Sequence, residues 1–461
     1  MSKIVFMGAG STVFVRNIIG DCMLREALKD AEVALYDIDG TRLRQSVEIL
    51  EEMNRNTNGG RMKIKGFLGV RHRRAALKGS DFVVNAVQVG GYEPSTVIDF
   101  EIPRKYGLRQ TIGDTLGIGG IFRALRTIPV LLDFAHDMEA VCPDAWFLNY
   151  SNPMAMLTGA ILRGASIKTV GLCHSVQVCI ASLLDTLNLG YSFAEDYDKR
   201  HRLPEDDGWS AKIAGINHLA WMLEVRKNGR DMYPEIRRKA REYLRTHCGH
   251  LEGGPSSKWN LVRLRMMLEY GYYVTESSEH CAEYTPHWIK SAHPELIEAY
   301  GIPLDEYPRR CIRNRENWAK QYAELKTGRI THDRISREYG SGIMNAIASN
   351  KPYEFAGNVL NCGLIENLPG DAVVEIPCVA DASGVHGTRV GRLPVQCAAL
   401  DMTNVNVQLL AVEAALTLKK EHIYHAAMLD PHTASELTID EIRAMCDDMI
   451  CAHGDYLPKY H

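Results

Sequence analysis

A cysteine and a histidine, Cys173 and His174, stand side by side at the end of the apolar run KTVGLC, and another histidine, His218, ends the strand-like run AKIAGINH. One thiolate and one imidazole from distant points of a chain make a partial ligand set for a divalent ion. The positions they leave to water or substrate oxygens suit a catalytic ion rather than a structural one. Without that chemistry Cys173 is a small buried hydrophobe, the usual fate of a free cysteine. A rival group, His280, Cys281 and His287 in SSEHCAEYTPH, is the weaker candidate because its segment also reads as the entry to an ordinary helix.

A second chemistry lies near the N-terminus. Gly8-Ala9-Gly10 follows the apolar run KIVFM, and Ser11 and Thr12 open a helical pattern. The first glycine allows a tight turn, the second lets backbone approach a pyrophosphate, and the helix start offers free N–H groups and a positive dipole end. The third fingerprint glycine would fall at Val13, so the motif is incomplete and the strand–turn–helix context carries it. Asp37 is placed to accept hydrogen bonds from a ribose diol and to repel a 2′-phosphate, with Asp39 as the alternative. Gly90, after DFVVNAV, and Asn152, after AWFLNYS, fall where strand C-termini face a ligand crevice. A redox cofactor beside a metal ion suggests a reaction that passes through an oxidised substrate.

The elements that must position these residues are legible as alternation. Strand-like runs KIVFMG, EVALYDI, DFVVNAV, AWFLNYS and KTVGLC are spaced by helical stretches, one of them running from about Ile121 to Val141. The pattern predicts an α/β fold, a Rossmann-like doubly wound parallel sheet. After Gln177 the pattern changes. The charged, turn-rich stretch 195–209 reads as an exposed loop. Two strand-like runs follow, the second ended by Asn228-Gly229, and then helices mix with a strand-like patch at AVVEIPCVA. Residues 1–178 are expected to form an NAD-binding domain, and 179–461 a mixed α+β domain for substrate, metal and oligomerisation.

The 461 residues and the net charge of -4 suit an ordinary globular protein and give no electrostatic case for nucleic acid or an anionic membrane as partner. No apolar run reaches the roughly 18 residues of a membrane span. Twelve cysteines without paired spacing or a signal peptide predict reduced thiols and a cytoplasmic chain.

GAGST, QVGGYEP, TLGIGGIFRALRTIP, NYSNPMAM, GLCHSVQ, AGINH and TESSEHCAEYTP occur in order. Together they resemble glycoside hydrolase family 4 across essentially the whole chain, and most closely its α-galactosidase branch, where His-Ser-Val follows the metal cysteine. NAD-dependent members of that family depart from two-carboxylate glycosidase chemistry. The resemblance implies bound NAD⁺ and a divalent ion, usually Mn²⁺, held by Cys173 and His218. It implies that Asn152 contacts sugar or nicotinamide and that Tyr284 is the base. Phospho-glucosidase relatives carry an acidic residue after the cysteine, where this chain has His174. The proton donor is therefore His174, which also meets substrate, or Asp114, which could instead orient a metal-bound water. The implied course is hydride transfer from C3 of the sugar, proton loss at C2, elimination at C1, water addition and re-reduction. An α-galactoside substrate and a homodimer or homotetramer are expected. Alternatives are an α-glucosidase, α-glucuronidase or α-galacturonidase of the same family, or an NAD-dependent 2-hydroxyacid dehydrogenase.

Overall fold

A computed structural model describes residues 2–249 and 259–461. Its core is one continuous sheet whose strands are β1 (Lys3–Met7), β2 (Glu32–Asp37), β3 (Lys63–Leu68), β4 (Phe82–Asn85), β5 (Trp146–Asn149), β6 (Lys168–Gly171), β7 (Trp209–Ile216), β8 (Leu219–Lys227), β9 (Arg230–Asp231), β10 (Tyr273–Val274), β11 (Tyr353–Leu360), β12 (Val373–Asp381) and β13 (Gly384–Gly387). The first six lie in the order 3-2-1-4-5-6, all parallel. That is the doubly wound dinucleotide-binding order, with its crevice where β1 and β4 send the chain in opposite directions. Strands β1, β4 and β5 are nearly continuous apolar runs because helices cover both of their faces.

The remaining strands do not form a separate sheet. They extend the same one antiparallel, in the order β6-β11-β12-β7-β8-β10. The expected long helix spans Gly117–Val141, and its flank is covered by the helix Met154–Gly164. The helix Gly40–Asn58 is capped at one end by the Asp39 side chain, which accepts from the N–H groups of Thr41 and Arg42. It ends at the left-handed Gly59. One expectation needs correction. The stretch 195–209 is not simply an exposed loop, since short helical turns occupy it, Tyr197 is buried, and Trp209 begins β7 inside the core. Charged residues dominate that stretch and mask its two aromatic anchors. All twelve cysteines are free thiols. Among the described residues, no helix is long and apolar enough to cross a membrane.

Candidate active site

The chain reverses between β7 and β8 through Asn217 and His218, and His218 takes a left-handed conformation with φ 64. The turn delivers its ring to the end of β6, where Cys173 Sγ lies 3.2 Å from His218 Nε2. Burial would discharge the imidazole, but the Cys173 thiolate beside it holds the ring's pKa up at about 10.

The expected rival cluster turns out to share this site, and only in part. The helix Ser278–Glu283, capped by Ser277, turns His280 onto His218 with ring centroids 4.4 Å apart. Cys281, on the same helix, points into the core, where burial pushes its thiol up to about 12. His287 pairs instead with the Tyr270 hydroxyl at 3.3 Å. An unforeseen residue completes the group. Glu276 sits in the turn before the helix with φ 69, and one donor atom each from His218, Glu276 and His280 lies within 4.8 Å of the others. Burial and the His218 cation push His280 down to about 4. Burial raises Glu276, but the His280 and His218 rings and a hydrogen bond from Ser277 outweigh it and hold the acid at about 2. Nδ1 of both histidines is buried without a hydrogen-bond partner. The Cys173–His218 pair, with a neutral imidazole and an ionised carboxylate beside His218, offers donors of the types that fit a divalent cation.

Tyr284 follows the helix directly. Its ring centroid lies 6.5 Å from that of His218 and 6.3 Å from that of His280, and its hydroxyl is fully buried with no partner. Burial, reinforced by the charges of Asp114 and Glu283, drives the phenol well above its usual pKa. Asp114 is positioned from the same helix. Glu283 accepts the backbone N–H groups of Thr111, Ile112 and Gly113 at 2.6–3.1 Å and so pins the loop that carries Asp114. Asp114 in turn lies 3.5 Å from Asn152 Nδ2. The Asn152 carbonyl accepts from Arg123 Nε, while its own Oδ1 is buried without a partner. His174 caps no helix with its side chain. Its Nε2 is 2.9 Å from Glu338 Oε2, and burial is outweighed by that carboxylate, which raises the imidazole's pKa. The ring lies 5.9 Å from Phe14, on the helix that begins the dinucleotide site.

At that site Gly8 has φ +82, and a Cβ there would come within 2.9 Å of the Ala86 carbonyl and Val87 N. Glycine is required on both counts. The N–H groups of Gly8 and Ala9 both donate to Tyr36 O at 3.0 Å. Gly10 N donates to Asp37 Oδ2 at 2.6 Å, and Asp39 N to Asp37 Oδ1 at 2.8 Å. Asp37 thus shapes the glycine turn as well as ending β2, and Asp39 is occupied as a helix cap. Ser11 precedes the helix Thr12–Leu24 without capping it through its side chain. The Thr12 side chain lies outside the described residues. Gly90, at φ 77, leaves no room for a Cβ against Ser95. A positive-φ turn meeting an uncapped helix start fits a dinucleotide phosphate.

Two family models match this chain, the family 4 glycosyl hydrolases over residues 3–189 and the family 4 glycosyl hydrolase C-terminal domain over 213–433. The chain belongs to glycosyl hydrolase family 4. This family 4 chain is 54% identical over 461 residues to an α-galactosidase of Bacillus subtilis, covering all of both chains. It is 33% identical over 468 residues to an α-galactosidase of Rhizobium meliloti, covering 99% of this chain and 89% of that one. A 6-phospho-α-glucosidase from gut microorganisms, solved with NAD and Mn2+, shares the fold at a TM-score of 0.77 and 22% identity, covering 100% of each.

In this family 4 fold, Cys173, His218 and Tyr284 converge at one end of the sheet, while Gly8, Gly10 and Asp37 gather around the β1 turn, and Gly90 packs on Ser95 in the turn after β4. Asn152 and Asp114 stand together, and His174 neighbours both Cys173 and Phe14. Glu276, Glu283 and Glu338 escaped the sequence reading. Glu276 and Glu283 lie in TESSEHCAEYTP, whose similarity to the family was visible, but no spacing rule marks a lone glutamate.

Proposed function

We propose that this chain hydrolyses α-galactosides with the help of NAD⁺ and a divalent ion such as Mn²⁺. The full-length identity to an α-galactosidase supports the sugar. The observation that carries the chemistry is the Cys173–His218 pair, 3.2 Å apart, at the strand ends of a dinucleotide-binding sheet. Cys173 and His218 hold the ion, Gly8, Gly10 and the start of the helix Thr12–Leu24 receive the dinucleotide phosphates, and Asp37 receives the ribose. Bound there, NAD⁺ would supply reversible hydride acceptance for the sugar, and a divalent ion would supply Lewis acidity that makes the C2 proton labile.

This chain's own groups do the rest. Tyr284 Oη takes the C2 proton. Its burial without a partner leaves it a weak base until a nearby cation favours the phenolate. A proton must reach the glycosidic oxygen as the C1–O bond breaks. His174 and Asp114 are the two candidate donors, and with Nε2 of His174 on Glu338, delivery from the histidine falls to Nδ1. Asn152, steered by Arg123 and Asp114, orients the sugar.

A panel of p-nitrophenyl α- and β-glycosides, with and without NAD⁺, Mn²⁺ and thiol, tests the reading. The α-galactoside is expected to be cleaved fastest, and only with both cofactors present. Full-speed cleavage after removal of both would overturn the mechanism. Preference for a glucoside or a uronide would overturn the sugar assignment alone.

A further inference from the structure

We propose that Arg123 is a specificity-determining residue, whose open guanidinium edge donates hydrogen bonds to the sugar oxygens that mark a galactoside, O4 and O6. The inference rests on the reading above, in which the substrate is an α-galactoside, and adds the side chain that recognises it.

The first observation is a missing counter-charge. Arg126 donates through Nη1 and Nη2 to the two oxygens of Asp99 at 2.9 and 2.6 Å, and Arg109 Nη2 donates to Asp305 Oδ2 at 2.6 Å. Arg123 is 8 % exposed, yet among the described residues its guanidinium bonds only to neutral oxygens, Asn152 O at 3.2 Å and Tyr307 Oη at 3.0 Å. A cation this deeply buried is ordinarily paired with a carboxylate. Second, Nη2 donates to no protein group among the described residues and is not sealed from solvent. A guanidinium carries its donors in a fixed fork, so one edge of that fork is open. Third, the edge is held where the sugar is expected. Arg123 grips the carbonyl of Asn152, whose Nδ2 lies 3.5 Å from Asp114 and whose Oδ1 is buried without a partner. Tyr307, near the start of the helix Glu306–Thr327, also places its ring centroid 5.3 Å from the guanidinium carbon, which keeps the fork from swinging.

The surroundings of the edge select a neutral oxygen rather than an anion. The Asp114 carboxylate is close enough to act on the Arg123 charge, so an incoming carboxylate or phosphate would meet a like charge beside its partner. A hydroxyl oxygen accepts from the guanidinium without that repulsion. In the course proposed above the chemistry occupies O1, C2 and C3, which leaves O4 and O6 to define the sugar. In a galactoside O4 is axial and leans toward the side carrying C6, so one planar fork can serve O4 and O6 together. In a glucoside O4 is equatorial and points away from that fork.

The test uses the full-length protein with NAD⁺ and Mn²⁺ and compares kcat/KM for p-nitrophenyl α-galactoside, its 4-deoxy and 6-deoxy analogues, and the α-glucoside. In the unaltered protein each deoxy analogue is expected to lose about 10–100-fold, the worth of a hydrogen bond from a charged donor. Arg123→Ala should lose a similar factor on the galactoside and far less on the other three substrates, so that the preference for the galactoside closes. A side chain with only a structural role would slow all four substrates by one factor, and that result would overturn the proposal. So would an unaltered protein that cleaves both deoxy analogues as fast as the galactoside, a measurement that decides even if the variant fails to fold. Preference of the unaltered protein for the glucoside, or for an α-galacturonide, would bring down the sugar assignment itself and the proposal with it. A galactoside preference that survives Arg123→Ala would bring down the proposal alone.

Discussion

Tyr284 separates function from stability within one side chain. Its ring fills the core, yet its hydroxyl bonds to nothing in the protein, so removing the oxygen takes away an unsatisfied buried group and no contact. Tyr284→Phe is therefore expected to melt at or slightly above the unaltered protein's temperature, while kcat on the α-galactoside falls by about 10²–10⁴-fold. Calorimetry and steady-state kinetics on one preparation check both halves, and a variant that stays active would remove Tyr284 as the base. Gly8 makes the opposite case. Adding one methyl group forces a positive-φ residue against the Ala86 carbonyl at 2.9 Å, so Gly8→Ala should cost ~1–3 kcal/mol in urea denaturation and weaken NAD⁺ in a fluorescence titration. Gly8 was legible because a turn between an apolar run and a helix has few solutions. Glu276 was not, because its place at the metal group comes from a left-handed turn that TESSEH does not announce.

At the scale of elements, the sequence showed those strands whose burial is continuous and hid those whose burial is not. β1, β2, β4, β5 and β6 read plainly as apolar runs. β3, KIKGFL, is an exposed edge strand in which charge alternates with apolar residues. β11, YEFAGNVL, contains Gly357 and Asn358, residues that strands disfavour. Helix docking offers a test through charge. Arg73, at the start of the short helix Arg73–Leu77, and the neighbouring Arg74 grip Asp137 on the helix Gly117–Val141 at 2.5–2.6 Å. Burial pushes the Asp137 carboxyl up, but the two guanidinium groups more than cancel it and hold its pKa below the ordinary 3.8. A depressed folded-state value means the stabilisation is present above 3.8 and is lost as pH falls through and below it. Asp137→Asn should thus lose about 2 kcal/mol at pH 7. In parallel urea titrations the gap should close toward pH 3; a gap that persists there would show that packing, not charge, docks the helix.

For the molecule as a whole, the central fact is that the sheet stays continuous through two narrow joins, one between its parallel and antiparallel parts and one within the antiparallel part. β11 touches β6 through the single pair Asn358–Gly171, and β12 touches β7 through the single pair Glu375–Gly215. Composition led to the expectation of two regions, and no local pattern could reveal that one sheet runs through both, because the join of its parallel and antiparallel parts is one residue pair long. Backbone pairing that sparse needs reinforcement, and Glu375 supplies it. Its carboxylate, 1 % exposed, accepts from Ser175 Oγ, Asn217 Nδ2 and Asn358 Nδ2, each at 3.1 Å. Ser175 lies two residues past Cys173 and Asn217 immediately before His218, so one buried acid fixes both arms of the metal pair across the joins. Glu375→Ala strands three buried donors at ~1–3 kcal/mol each and frees the two arms from one another. Stability and Mn²⁺ affinity should fall together. Glu375→Gln keeps an acceptor for the two asparagines, and the Ser175 hydroxyl can rotate to accept from the new amide, so both properties should largely recover. A Glu375→Ala protein that melts early yet binds Mn²⁺ unchanged would show that the arms are set independently, and that the continuity of the sheet does not build the site.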